Sequence, residues 1–471
     1  MGETKLSWGR SRRGSFTQGC CVAGGGVSRA GWQPIGGTIF SVVVSYTESS
    51  GFCVRYNDRS AKSMLLFAIL GFGIFTMWIP GRWAPAIFEV AILVLAGARV
   101  MAWMRGAGAA PSFGRLRWIV PGLMIPSLMI GATAWIGVQL VAGWTVDVQR
   151  TQEQLLQWVV YSCVVGLATG VGAGERESGQ VDGFGLGRIT EAVVWGATGL
   201  AVLAILTAIS SPVGVVWWWV DVGSDQITLG PFVYRNQYAA FVEVCLAIAL
   251  LKSCLGKYAW RYVAASGILF ASVVASGSRG GTILCLVELV VFPVILVRRG
   301  QLPIWTWVRG AAVSVGSVAL ATWIVGWDYL VSRLNQSNPY ALRADLLRSS
   351  LQMIRERPWR GFGLGTWAEV YPGFALYDAG RYVNQAHNDW VQWTAEGGIV
   401  FGCIVLAIFL WVTPRAFASV WGVGLLVMAV HAFFDYPMHQ RPALAAFFFA
   451  MLGYLNGVDA RSASGRVPLD A

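Results

Sequence analysis

Three histidines stand in the 471-residue chain, and one of them, His387, lies in the polar run Asn384-Gln-Ala-His-Asn-Asp-Trp390. The run leads into an apolar block, so His387 falls at a helix start. A helix N-terminus disfavours imidazolium and favours neutral imidazole. Neutral imidazole can act as a general base toward a hydroxyl, and it can equally serve as a polar cap. A metal reading with Asp389 is disfavoured, because residues two apart on a helix do not face each other.

Guanidinium groups supply the complementary chemistry. Residues 339–357 read as a helix, in which Leu342, Leu346, Leu347, Leu351, Met353 and Ile354 form one apolar arc. Arg348, Gln352 and Arg355 lie opposite, whereas Arg343 falls within the arc. A buried Arg is expensive without a partner. Its planar fork suits a phosphate or carboxylate, or it can snorkel from the first turn. The following Pro358-Trp-Arg-Gly-Phe-Gly-Leu-Gly-Thr366 ends the helix and permits tight turning or close ligand approach. It lacks the strand and helix context of a nucleotide loop, so a plain connector is an equal reading.

Ser276-Gly-Ser-Arg-Gly-Gly281 links two apolar blocks tightly, with no acidic neighbour for Arg279. Its glycines leave backbone N–H groups open, and such concavities bind anions; an interfacial anchor is the alternative. Arg235-Asn236-Gln237 opens another block. Glu89, Glu243 and Glu288 lie inside blocks, either neutralising arginines or marking a proton path in a transporter. His431, Asp435, His439 and Arg441 cluster around the last turn.

The elements that carry these residues are membrane spans. The chain is 56% hydrophobic and 13% charged, with mean hydropathy +0.57, against roughly 25% charged in soluble domains. Its apolar blocks run about 17–25 residues, the length that crosses a hydrocarbon core of about 30 Å. Continuous apolar runs exclude the alternation of a barrel. The reading is an all-α polytopic membrane protein of about twelve transmembrane helices. They lie near 62–79, 84–104, 118–137, 155–173, 190–209, 237–253, 262–276, 281–297, 310–327, 395–412, 416–433 and 441–457. A large helical loop, 328–394, joins spans 9 and 10, and 458–471 form a tail.

The formal charge of +11 sits in short loops beside the spans, so it reads as a topology signal rather than a nucleic-acid footprint. Those loops fall on one side if both termini are cytoplasmic. His387, Arg343, Arg279, Arg235 and Asp435 then share the opposite, outer face. Many of the 24 Trp residues lie near block ends, as in interfacial belts. None of the eight Cys forms a CxxC pair, so no disulfide framework or structural zinc is expected. Residues 1–61 lack a signal-peptide pattern and read as a disordered or non-native extension; Met64 is an equally plausible start. No internal repeat of the transporter kind is visible.

In order and placement, these segments resemble the O-antigen ligase and polymerase family. The resemblance rests on Gly230-Pro-Phe-Val-Tyr-Arg-Asn-Gln-Tyr-Ala-Ala240, Ser278-Arg279-Gly280, Arg343 to Gly365, Ala386-His387-Asn388, and His431, Asp435 and Pro437. It covers roughly residues 190–440 and implies a GT-C-like membrane glycosyltransferase of the bacterial inner membrane, working at the periplasmic face. The donor would be a glycan on a polyprenyl pyrophosphate; the acceptor a lipid A core, a growing glycan or a protein hydroxyl. By analogy His387 activates the acceptor and inversion follows, while Arg279 and Arg343, with Arg235, hold the leaving pyrophosphate. Asn236, Asn388, His431 and Asp435 would bind substrate. No cofactor or metal is implied, since arginines would replace a cation. Gln237 departs from the family's Asn. The expected arrangement is an imidazole and unpaired guanidinium groups converging in one pocket, and a secondary transporter is the more distant alternative.

Overall fold

The computed structural model describes residues 58–105, 116–181, 186–254, 259–298, 341–376, 380 and 382–458. It also describes strands β1 (Val43–Ser45) and β2 (Cys53–Arg55) and isolated positions between 308 and 326. Met1–Lys62 and Ser63–Ala471 are separate compact units. In the first, β1 and β2 pair antiparallel, Val44 opposite Val54. The rest of the expected 1–61 extension, most of expected span 9 and the 459–471 tail lie outside the described residues.

The second unit is built of helices: α1 (Asp58–Thr76) from Ser63 onward, α2 (Trp83–Met104), α3 (Leu116–Val141), α4 (Val148–Glu177) and α5 (Arg188–Ser210). After a short hairpin of β3 (Val215–Val216) and β4 (Val220–Asp221) come α6 (Arg235–Cys254), α7 (Ala259–Ala275) and α8 (Arg279–Arg298). Then follow α9 (Ala341–Glu356), α10 (Trp367–Val370), α11 (Asp389–Ser419), α12 (Val423–His431) and α13 (Pro442–Val458). Seven of these are long and apolar enough to cross a membrane, and stretches of α1, α7 and α13 are shorter apolar helices. This is an all-α, multi-pass membrane protein.

The count near the end differs from the sequence expectation. A span over 416–433 is replaced by the end of α11, a link through Val420 and Trp421, and the nine residues of α12. At 1.5 Å per residue α12 is about 14 Å long, too short to cross a membrane alone. Hydropathy averages over the link because Trp421, fully buried against Tyr454, is itself apolar.

Two packing arrangements position the polar end of the bundle. Helix α13 lies against α4 at small residues: a methyl on Gly453 would meet the Val165 carbonyl at 2.6 Å, and one on Gly457 the Thr169 carbonyl at 2.3 Å. Such contacts let helix backbones approach where the hydrophobic effect gives no preference for protein over lipid. Helix α6 is enclosed, buried at every residue from Gln237 to Leu251.

The second arrangement explains the glycine loop 358–366. Helix α11 is broken at Gly398, where φ is 72°. The break frees backbone groups, and each one left unpaired in a buried site costs about 1–3 kcal/mol. The loop supplies partners: Ile399 N donates to Pro358 O at 2.7 Å, while Phe362 N and Gly363 N donate to Glu396 O at 3.0 and 2.9 Å. The buried Glu396 carboxylate then accepts from Gly365 N at 2.9 Å and Trp367 N at 3.1 Å. The open N–H groups of this loop are therefore engaged by the protein's own backbone and carboxylate. Gly398→Ala should destabilise by about 3 kcal/mol or more, since its methyl would lie 2.1 Å from Trp359 O. A lowered unfolding midpoint in detergent checks this, with Gly71→Ala, which meets nothing within 4 Å, as the unaffected control.

Candidate active site

Five chain segments meet at one end of the second unit: the start of α6, the α7–α8 turn, α9, the start of α11 and the turn 432–441. The α7–α8 turn joins through Asn236, and the others meet at Asp435, 1% exposed. Arg343 Nη2 donates to its Oδ2 at 2.8 Å. Tyr234 OH lies 3.2 and 3.0 Å from its two oxygens. Asn236 Nδ2 donates to Oδ2, and Tyr436 N to Oδ1 at 2.9 Å. His387 Nδ1 stands 3.5 Å from Oδ1, beyond a good hydrogen bond.

Local structure aims each group. His387 adopts φ 52°, the left-handed region in which His is among the more tolerant residues. Asn388 caps α11 by accepting from Val391 N at 3.0 Å, and its Nδ2 donates to Phe433 O at 3.0 Å. The ring of Tyr436 meets His387 edge-on at 4.8 Å and stacks on Tyr234 at 5.2 Å. Helix α9 buries Leu346, Ser349, Ser350 and Met353, while Leu342 and Leu351 are exposed. The buried face is therefore narrower than the apolar arc read from sequence. Ser350 belongs to it because it accepts from Trp367 Nε1 at 3.0 Å.

The expectation of unpaired guanidinium groups is corrected at Arg343, which is in an ion pair with Asp435 and keeps 28% of its side chain exposed. Burial alone would raise the Asp435 pKa. The adjacent His387 ring and the charges of Arg343 and His431 outweigh it, drawing the carboxyl down to about 2. Burial and the Asp435 charge together push Tyr234 well above its ordinary value, so it remains a donor.

The remaining candidates sit around this hub. Arg279 begins α8 directly after Ser278, whose Oγ donates to Asn236 Oδ1 at 2.8 Å. His431 Nδ1 pairs with Glu243 Oε1 at 2.7 Å, and a methyl on Gly280 would come within 4.0 Å of its Nε2. Arg235 opens α6, half-buried, and forms no hydrogen bond or ion pair among the described residues. Glu89 lies 4.0 Å from Arg82, and both oxygens of the buried Glu288 lack a hydrogen-bond partner among the described residues. Sequence reasoning gave Tyr234 and Ser278 no role, although both lie in its motifs, and it missed Tyr436. Each is a direct neighbour of a candidate that was found.

Residues 264–406 match the family model described as O-antigen ligase, which supports the resemblance read from the motifs. The match indicates glycan transfer of the O-antigen ligase or polymerase type, by a membrane glycosyltransferase. Arg279, Arg343 and His387 fall inside the matched segment; Arg235, Asn236, His431 and Asp435 fall outside it. A search of curated proteins found no match.

A carboxyl whose folded pKa is depressed stabilises the fold above its ordinary pKa of about 3.9, and that contribution fades as pH falls toward 2. Asp435→Asn should therefore cost about 2 kcal/mol at neutral pH. The gap to wild type should close as pH drops from about 4 toward 2 in urea titrations.

Proposed function

We propose that this chain transfers a glycan from a polyprenyl-pyrophosphate carrier to an acceptor hydroxyl at the periplasmic face of the bacterial inner membrane. It would be a GT-C-like, O-antigen ligase-type enzyme with both termini cytoplasmic. The observation that carries this is the convergence of His387 and Arg343 on the buried carboxylate of Asp435. A base and a cation for a leaving group are thereby fixed on one anchor.

In this reading Asp435 faces His387 Nδ1 and leaves Nε2 to accept the proton of the acceptor hydroxyl. The acceptor oxygen attacks the anomeric carbon, and the bond to the pyrophosphate oxygen breaks with its electron pair on phosphate. Inversion follows. Arg343, Arg279 and Arg235 meet the developing charge, a contribution that is large when the donors are held in place beforehand. Asn236 and His431 line the donor side. Asn388 serves by capping α11 and tying it to Phe433. The same steps apply whether the acceptor is a lipid A core, a growing glycan in a polymerase, or a protein hydroxyl. The family match also favours this chemistry over a transporter.

Purified protein given a polyprenyl-pyrophosphate glycan and each acceptor tests the reading. His387→Ala should lose transfer by about 10²-fold or more with an unchanged unfolding midpoint; undiminished transfer would refute the base assignment. Arg343→Lys should also turn over at least about tenfold more slowly, since Lys cannot reproduce a fork that reaches Asp435 and a phosphate together. Wild-type turnover by that variant would count against phosphate binding.

A further inference from the structure

His387 and Asp435 sit on segments far apart in sequence, and their contact is already long at 3.5 Å. What fixes it is a pair of residues outside the site described above. Asp389 binds the turn 432–441 with its backbone N–H and both carboxylate oxygens. Its N–H donates to Ala432 O at 2.9 Å and reaches Asp435 O at 3.3 Å. Its Oδ2 accepts from Met438 N at 2.9 Å, and its Oδ1 meets His439 Nδ1. The His439 ring lies 5.2 Å from Trp393, one turn along α11. Its Nε2 is buried without a hydrogen-bond partner among the described residues, so Asp389 is the partner that orients it.

We infer that Asp389 and His439 form a charged clamp that holds the Asp435 turn in register with His387, making His439 a positioning residue for transfer. The inference rests on the reading of His387 as the base. A relaxation of about 1 Å would break the contact of His387 with Asp435, and misplacements of that size slow enzymes substantially.

The charges around His439 favour its protonated form. Burial alone would lower its pKa; the Asp389 charge and hydrogen bond, with Glu396 behind them, outweigh it and raise it. Both carboxylates belong to α11. Beyond Asp389 lie Tyr161 of α4 and Glu89 of α2. In the same turn, Asp435 is bound to Arg343, and Arg441 donates to Met77 O at 2.7 Å. A raised imidazole pKa stabilises the fold fully below the ordinary value of about 6.5, and the contribution is lost as pH climbs through the raised one.

His439→Asn tests the clamp, since it retains an N–H for Asp389 and cannot carry charge; His439→Gln is the second variant should the first fold poorly. Two readouts apply. The unfolding midpoint of wild type, without substrate, should fall as pH rises above about 6.5, and that of the variant should fall less through the same range, the His431–Glu243 pair supplying what remains. In glycan transfer the variant should lose kcat roughly tenfold or more with KM for the donor unchanged. Its transfer rate should decline less on the alkaline side than that of wild type. A wild-type midpoint indifferent to pH, or a variant with wild-type kcat and an intact alkaline limb, overturns the clamp. Failure of wild type to transfer at all removes the base assignment and this role with it. Intact wild-type transfer without a variant defect removes this role alone.

Discussion

The polar end of this protein depends on keeping one carboxylate ionised in a nearly dry place. Asp435 is 1% exposed, and a bare buried charge of that kind is strongly unfavourable. Arg343, Tyr234, Asn236 and the Tyr436 N–H together provide the opposing charge and hydrogen bonds. Each donor comes from a different part of the chain or fixes a neighbouring one, so satisfying the carboxylate also assembles the site. Removing one partner leaves the others desolvated, which is why buried networks of this kind behave as units.

The same logic recurs one layer away. Glu396 is buried at the kink of α11 and is satisfied by the glycine loop, Gln392 and the start of α10. His431 is paired with Glu243, and His439 with Asp389. All three histidines thus lie beside carboxylates, and the segment 432–441 carries or touches each of these pairs. The close fit of α13 on α4 then restrains that segment from its other end.

Much of this was legible in the sequence. Continuous apolar runs announce spans, and in a chain with so few charges an Arg or His at a block edge is conspicuous. His387 and Arg279 were found that way, Arg343 by its place in the apolar arc of its helix, and Asp435 by the polar cluster at the last turn. Pairings were not legible: Arg343 and Asp435 are 92 positions apart, and nothing local marks Arg343 as already engaged. The glycine loop looked free to approach a ligand because its true partner, the break at Gly398, is a tertiary feature. Helix α12 was overcounted as a span because hydropathy records apolarity and not where a chain turns. The buried Ser350 of α9 was not foreseen because its partner, Trp367, lies beyond the helix.

The most direct test of the central claim is an experimental structure of the protein with polyprenyl pyrophosphate bound. Phosphate density between Arg343 and Arg279, with His387 still against Asp435 and its Nε2 facing the vacant glycan position, is the expected result. Phosphates bound at the opposite end of the bundle, or a His387 ring turned away from Asp435 when the lipid is in place, would contradict it.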